Sequence, residues 1–274
     1  MRSLARVALE GMSAGVPLPA PYALFHENEA QLYRGEVSVF AGPPGSMKTI
    51  TALNFVNRIG VPTLYISNDS TQYTVVSRTF SMITGESSRV AEEMIKSQPE
   101  LVAQVLRRWS KVRFDFRSNP DIERIGMFGE AFRTLYGEYP HLTVVDIAMN
   151  IDHDGVGDQN YWKVFPELKD VAGSWNTAMM VIHHTSEGVK GEPCPPRSAI
   201  MGKPNQLPAL IVTQMGTPTE ILYAVVKNRN GGDDASGKTY FSLPVWPGQC
   251  RIEDAEIQDD TPFQPGTVAT PLGV

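Results

Sequence analysis

The stretch Val37–Thr49, with the sequence VSVFAGPPGSMKT, decides the fold. An apolar run predicts a buried strand, a glycine-rich turn follows it, and Lys-Thr opens a segment that predicts a helix over 49–58. Backbone N–H groups of such a turn, and of the helix N-terminus behind it, bind phosphate groups. The lysine reaches the β- and γ-phosphates, and the threonine hydroxyl binds Mg²⁺. The stretch therefore predicts a P-loop for ATP and Mg²⁺, formed by Gly42, Pro43, Pro44, Gly45, Ser46, Met47, Lys48 and Thr49.

One position departs from the usual Gly-x-x-x-x-Gly-Lys-Thr pattern, because Met47 replaces the second glycine. The residue lies where the chain enters the helix, so we expect a negative φ, which tolerates a side chain. The alternative is a Gly/Pro turn followed by a chance Lys-Thr. The order of strand, turn and helix favours the P-loop.

Composition bounds the class of protein. The 274 residues, 42% of them apolar, fit one large α/β domain with tails or two small domains. No apolar run approaches the length of a membrane span, no signal peptide is apparent, and the two cysteines indicate reduced thiols, so we expect a cytoplasmic protein. The net charge of −6 argues against a broadly basic nucleic-acid coat but leaves room for DNA binding by a few loops.

From residue 35 onward, apolar runs alternate with helical segments. Continuous apolar strands separated by helices predict a mostly parallel sheet with helices on both faces, and the last two strands flank Gly231-Gly232 as an antiparallel hairpin. We expect an N-terminal arm or linker at 1–34, an ATPase domain at 35–250 and a disordered tail at 251–274. The expected strands are 37–41, 63–67, 112–116, 142–147, 178–183, 210–214, 220–227 and 238–243, and the expected helices are 49–58, 71–84, 87–107, 121–136 and 160–174.

Two carboxylates are candidates for the nucleotide site. Asp146 ends an apolar strand about a hundred residues after the P-loop, where such an Asp orients Mg²⁺ beside the threonine hydroxyl. Asp69 follows the strand 63–67, at the sheet edge where α/β folds bind ligands, and could polarise the attacking water. A helix N-cap is the alternative role for Asp69.

Two further groups follow apolar strands. His183-His184 ends a strand at the same edge, where one histidine could sense the γ-phosphate and the other could be a core residue. A metal site is disfavoured because adjacent strand residues point to opposite faces.

Lys227 and Arg229 could reach a phosphate of a neighbouring subunit, as arginine fingers do, although a charged hairpin turn explains the same residues.

Together these residues resemble the RecA-like ATPase domain of DnaB-type replicative helicases, over about residues 33–247. Ser67-Asn68-Asp69-Ser70, followed by Arg78, stands where that family has Ser-Leu-Glu-Met and an Arg, so Asp69 replaces the catalytic Glu. The Lys-x-Arg-Asn-Gly motif is intact from Lys227 to Gly231, and the resemblance implies that Lys227 and Arg229 act in trans. His184 stands at the polar sensor, as in RepA-like helicases and related phage ATPases. The resemblance implies a homo-oligomer, a hexameric ring or a filament, without the family's N-terminal helical domain.

In RecA-like proteins two loops hold single-stranded DNA, and here they would be about 149–162 and 185–207. The second loop carries the candidate DNA-binding residues Lys190, Arg197 and Lys203. The first carries Asp152, Asp154 and Asp158, which are either a solvated acidic loop or ligands for a second divalent ion in a nuclease.

The sequence therefore predicts a Mg²⁺-ATP-dependent ATPase of RecA/DnaB type that acts on single-stranded or forked DNA in replication or recombination, as a helicase or translocase. One alternative is a single-strand-binding recombination mediator or annealing ATPase that does not unwind DNA. The others are a nuclease and a regulatory ATPase acting on protein partners, which would not respond to DNA.

Overall fold

The computed structural model describes residues 15–152, 163–186, 192–202 and 207–254. Its strands are β1 (Val37–Gly42), β2 (Thr63–Ser67), β3 (Val112–Asp115), β4 (Leu142–Asp146), β5 (Ala178–His184), β6 (Leu210–Gly216), β7 (Glu220–Asn228), β8 (Phe241–Trp246) and β9 (Arg251–Ile252). Its helices are α1 (Ala23–Glu27), α2 (Lys48–Ile59), α3 (Gln72–Thr84), α4 (Ser88–Ser97), α5 (Pro99–Leu106), α6 (Ile122–Tyr136) and α7 (Val164–Trp175).

The strands form one sheet in the order β3-β2-β4-β5-β1-β6-β7-β8-β9. Strands β1 to β6 run parallel to one another, and β7, β8 and β9 are each antiparallel to the strand before them. The α/β class, the mostly parallel sheet and the C-terminal antiparallel hairpin predicted from the sequence are confirmed.

Helices cover both faces of the sheet. Strands β1, β2 and β4 are buried along their whole length, which explains why their sequences are continuous apolar runs. On one face, α1 and α2 pack against the sheet, with Phe25 edge-on to Phe55 at 4.9 Å between ring centroids. On the other face, α6 and α7 contribute Phe132 and Phe165 to a second apolar cluster.

The register of the parallel strands brings the candidate site residues to one edge. Gly42 at the end of β1 pairs with His184 at the end of β5, and Ser67 at the end of β2 pairs with Asp146 at the end of β4. Because the carboxyl ends of parallel strands meet at the same edge, the P-loop and the loops after β2, β4 and β5 converge there.

Two elements differ from the expected ones. The helix expected over 87–107 is two helices, α4 and α5, because Pro99 has no N–H to continue the first helix and instead begins the second. The last long strand is β8 rather than 238–243. The strand begins later in the sequence than expected because the Asp234 carboxylate accepts hydrogen bonds from the backbone N–H groups of Ser236 and Thr239 and holds that segment in a turn.

The domain extends beyond both expected boundaries. Tyr22 and Phe25, expected in an arm, are buried in the core. Arg251 and Ile252, expected in the disordered tail, form β9, where the Asn54 side chain accepts from the backbone N–H of Ile252. The folded unit therefore includes 15–34 and 251–254, and 255–274 lies outside the described residues.

Across the described part of the chain, no helix combines the length and the apolar character needed to cross a bilayer.

Candidate functional site

The P-loop is a tight turn that requires two glycines. A Cβ added at Gly42 would lie 2.4 Å from Oγ of Ser46 and 2.6 Å from the carbonyl oxygen of Gln214, so no side chain fits there. Gly45 has a φ of +79°, which only glycine adopts readily. The Gln214 side chain also donates to the Ser46 carbonyl at 2.6 Å and ties the turn to β6.

Met47 is in the left-handed region, with φ 66° and ψ 28°, so the expected negative φ is wrong. This conformation costs an L-residue about 1–2 kcal/mol. A hypothetical Cβ at Gly216 would lie only 3.3 Å from Cγ of Met47, which shows that Met47 packs against the backbone of β6. The loop therefore keeps the geometry that glycine normally supplies, and packing offsets part of the strain.

Lys48 is held inside the loop by backbone carbonyls. It is 7% exposed, and its Nζ donates to the carbonyl oxygens of Gly42 at 2.9 Å and Pro43 at 2.8 Å. Burial lowers the pKa of Lys48 to about 8, and the nearby carboxylates of Asp146 and Asp69 oppose part of that shift. An anionic phosphate in the loop would replace neutral carbonyl partners and stabilise the charged ammonium.

Asp146 is a buried carboxylate, 2% exposed, beside the first turn of α2. The Tyr65 hydroxyl donates to its Oδ2 at 2.8 Å, and the Thr49 hydroxyl also hydrogen-bonds to it. Burial raises the pKa of Asp146, and these two hydrogen bonds counteract the rise. A hydroxyl next to a buried carboxylate is a pair that would hold Mg²⁺ in P-loop proteins.

Among the described residues, no group of three or more His, Cys, Asp or Glu side chains could hold a metal ion by itself. The Thr49–Asp146 pair still fits Mg²⁺, because P-loop magnesium takes most of its ligands from phosphate oxygens and water.

Asn68 fixes the position of the strand end that carries Asp146. Its side-chain amide donates to the Ile147 carbonyl at 2.9 Å and accepts from the Ile147 N–H, while its own backbone N–H donates to the Asp146 carbonyl at 2.9 Å. The ends of β2 and β4 are thereby joined beside the P-loop.

Asp69 is exposed and lines the cleft in front of the P-loop. The N-cap of α3 is Thr71, whose hydroxyl accepts from the Thr74 N–H at 3.2 Å, so capping does not explain Asp69. Its charge acts on both Lys48 and Asp146, which places its carboxylate close to the expected position of the phosphates.

The two histidines have different environments. His183 is fully buried, its Nε2 lies 2.8 Å from the Met201 carbonyl, and burial lowers its pKa to about 4. His184 is half-buried and lines the cleft. Its pKa is lowered by burial and by the charge of Lys48, so its ring is neutral at pH 7. His183 is therefore the core histidine, and His184 is the one at the site.

These groups surround a cleft of about 540 Å³, which is large enough for a nucleotide. Sequence reasoning missed several polar residues that line this cleft or support its walls, because hydroxyl and amide side chains near a strand end carry no distinctive spacing. They are Tyr65, Asn68, Thr74 and Gln214.

Lys227 and Arg229 are far from the P-loop of their own subunit. Lys227 pairs with Ile211, which pairs with Val39, so Lys227 lies three residues and two strands away from Gly42. At about 3.3 Å per residue and about 4.8 Å per strand, this separation is about 14 Å, beyond the reach of a lysine side chain. The backbone of Arg229 is farther still, since its N–H donates to the Ala209 carbonyl, and the Ala209 N–H donates to the carbonyl of Val37 at the start of β1. If this pair contacts a bound phosphate, that phosphate must lie in the P-loop of another subunit.

Of the candidate DNA-binding residues, only Arg197 is described, and it lies near Lys227. Lys190 and Lys203 lie outside the described residues, as do Asp154 and Asp158 of the acidic loop. Asp152 is described, and its backbone N–H donates to the Pro120 carbonyl at 3.0 Å.

The fold is RecA-like: a mostly parallel sheet with a P-loop after β1, a carboxylate after β2 and another at the end of β4. Comparison with solved structures agrees. The chain superimposes on a solved ATPase domain of a DnaB-like helicase with a TM-score of 0.73 at 12% identity, covering 92% of this chain and 96% of that one. It superimposes on a second DnaB-like replicative helicase, solved in a study of its interactions with primase, with a TM-score of 0.74 at 12% identity, covering 93% of this chain and 68% of that one.

The RadB recombinase has the same fold, with a TM-score of 0.55 at 14% identity, covering 85% of this chain and 96% of that one. The chain thus has the RecA-like fold of DnaB-like helicase ATPase domains and of a recombinase, and at these identities the likeness shows the fold alone.

Among curated sequences, the chain is similar to two mycobacteriophage proteins. It is 29% identical over 254 residues to the gene 65 protein of Mycobacterium phage L5, covering 88% of this chain and 94% of that protein. It is 29% identical over 230 residues to the gene 65 protein of Mycobacterium phage D29, covering 80% of this chain and 98% of that protein. No protein-family model matches the chain.

Proposed function

We propose that the protein is a Mg²⁺-dependent ATPase that acts on DNA in replication or recombination. One observation carries the proposal: Lys48, Thr49, Asp69, Asp146 and His184 surround a single cleft at the carboxyl edge of the sheet. This set contains a group for each task in phosphoryl transfer to water, namely phosphate binding, metal binding, orientation of water and detection of the γ-phosphate.

The proposed mechanism assigns these tasks in turn. Lys48 exchanges its bonds to the Gly42 and Pro43 carbonyls for the β- and γ-phosphate oxygens. Thr49 and Asp146 would hold Mg²⁺, and the ion would supply positive charge opposite the charge that develops on the phosphates. Asp69 accepts a hydrogen bond from the attacking water and orients it towards the γ-phosphorus.

His184 connects the site to the rest of the chain. Its neutral ring can donate a hydrogen bond to a γ-phosphate oxygen, and β5 continues directly into the segment that begins at residue 185. Loss of the γ-phosphate would remove that hydrogen bond and change the position of the following segment.

The proposal includes assembly of several subunits. Lys227 and Arg229 cannot reach the P-loop of their own subunit, so their assigned role as phosphate-binding fingers requires a neighbour, in a hexameric ring or a filament. Stabilisation of the transition state by an arginine finger is worth about 10³–10⁵ in turnover in other nucleotide hydrolases.

Two DNA activities remain candidates. The match to DnaB-like helicase domains, at TM-scores of 0.73 and 0.74, favours a helicase or translocase, in which a ring moves along one strand. The match to the RadB recombinase favours a recombination mediator or annealing ATPase that does not unwind DNA. In both, single-stranded DNA would contact the segments 149–162 and 185–207 near the assembly axis.

The test is single-stranded DNA binding by the full chain, measured by fluorescence anisotropy with ATP, with ADP and with no nucleotide. We expect ATP to tighten DNA binding at least about tenfold in the wild type and not in Lys48→Ala, because the bound γ-phosphate is coupled to the protein segments that contact DNA. Equal affinity under all three conditions would contradict the proposal. Electron microscopy with ATP and a forked substrate then separates closed, unwinding rings from filaments that do not unwind.

A further inference from the structure

Arg197 is held against the connection between β7 and β8 by backbone contacts. Its N–H donates to the Ala235 carbonyl at 3.0 Å, and the neighbouring Asp234 N–H donates to the Val225 carbonyl at 2.9 Å. A Cβ added at Gly237 would lie 2.8 Å from the Cys194 carbonyl oxygen, so the two segments touch closely. Arg197 therefore belongs to the same surface as Lys227 and Arg229.

The other side of this segment is attached to β5. The Met201 N–H donates to the His184 carbonyl at 3.2 Å, and the Ser186 N–H donates to the Ala199 carbonyl at 2.9 Å. Cys194 and Ile200 are buried in the apolar cluster under β7. Arg197 is thus fixed between the strand that carries His184 and the strand that carries Lys227.

Arg229 and Arg197 both lie near enough to Lys227 for their charges to act on it. The pKa of Lys227 is lowered first by burial and then by the charges of Arg229 and Arg197, with Asp233 acting in the opposite direction. The Asp233 carboxylate also accepts from the backbone N–H of Asn228 at 3.0 Å, which holds the start of the turn. A cluster of three cations at one place favours a polyanionic ligand.

We propose that Arg197 joins Lys227 and Arg229 as a third cation that binds the terminal phosphate of ATP in the P-loop of the adjacent subunit. The inference rests on the proposed function and extends it to a residue that the sequence had assigned to DNA. A cation fixed from two sides suits a phosphate that must be stabilised at one position, because preorganised charge needs no rearrangement during reaction.

The test uses mixed oligomers without DNA, in which a small share of wild-type subunits is assembled with an excess of subunits that cannot hydrolyse ATP. The excess partner is Lys48→Ala, Lys48→Ala/Arg197→Gln, Lys48→Ala/Arg229→Ala or Lys48→Ala/Arg89→Gln. Arg89 is an exposed arginine on α4 and serves as the matched control. Native mass spectrometry verifies that each partner is incorporated, and turnover is counted per wild-type subunit.

Turnover per wild-type subunit with the Lys48→Ala partner is the reference. We expect the Arg89 control partner to match that reference, and the Arg197→Gln partner to lower turnover at least about tenfold below it, mainly in kcat. A partner with Arg197→Lys in place of Arg197→Gln should restore much of the lost turnover, because lysine keeps the positive charge. A purely structural defect would not be rescued. The backbone bond to Ala235 is available to every one of these residues, so the substitution tests the guanidinium.

Turnover that is unchanged by the Arg197→Gln partner, but lost with the Arg229→Ala partner, would overturn this inference and leave the proposed function intact. Turnover unchanged by both would overturn the in-trans arrangement itself. A defect with Arg197→Gln that appears only when single-stranded DNA is added would overturn the inference in favour of a DNA contact.

Discussion

The low pKa of Lys48 predicts that nucleotide affinity falls as the pH rises above neutrality. In the nucleotide-free protein burial holds this pKa at about 8, and the phosphates of ATP raise it on binding. Only the protonated lysine pairs with phosphate, so binding takes up a proton in the window above pH 8. The affinity for ATP is therefore at its maximum below the pKa that Lys48 has in the nucleotide-free protein, and it falls as the pH rises through that pKa.

The magnitude follows from the fraction of protonated Lys48. That fraction drops about tenfold between pH 7 and pH 9 for a pKa near 8, which corresponds to about 1.4 kcal/mol of binding free energy. The terminal phosphate is already ionised over this range, since its second pKa is about 6. We expect the Kd for ATP to rise about tenfold from pH 7 to pH 9, measured by titration of a fluorescent ATP analogue.

Lys48→Arg is the matched control for this experiment, because a guanidinium stays charged throughout the range. Its affinity for ATP is expected to stay constant between pH 7 and pH 9. A constant Kd in the wild type, or an equal rise in Lys48→Arg, would refute the assignment of the titration to Lys48.

Three substitutions test other parts of the site. Asp69→Asn should bind ATP normally but lower single-turnover hydrolysis about 100-fold or more, and normal hydrolysis would mean that another group orients the water. Met47→Gly should be more stable than Met47→Ala by about 1 kcal/mol in denaturant unfolding, because glycine alone relieves the left-handed strain; equal stabilities would show that the backbone at Met47 is unstrained. Tyr65→Phe removes the hydrogen bond to Asp146 and should raise the Mg²⁺ concentration needed for half-maximal turnover several-fold, with an unchanged requirement as the contrary result.

The parts of the fold that the sequence predicts well are those with strong local signals. The apolar run of β1, the glycine turn and Lys48-Thr49 specify strand, loop and helix within thirteen residues, and the register of parallel strands then fixes which loops meet. For the same reason Asp146 and His184, both at strand ends, line the cleft in front of the P-loop.

The parts that the sequence does not predict depend on contacts between distant segments. The left-handed φ of Met47 depends on the room that Gly216 provides on another strand. The burial of Tyr22 and Phe25 depends on aromatic packing against α2 and β7, and residues 251–252 join the sheet through Asn54. The proximity of Arg197 to Lys227 depends on two loop segments that no periodic pattern connects.

The measurement that tests the central claim most directly is steady-state ATP hydrolysis by the wild-type protein with and without single-stranded DNA, with Lys48→Ala as the background. The account predicts basal turnover that Lys48→Ala abolishes and that single-stranded DNA stimulates several-fold. Basal turnover that DNA leaves unchanged would contradict it, and would indicate instead an ATPase whose segment 185–207 acts on a protein partner.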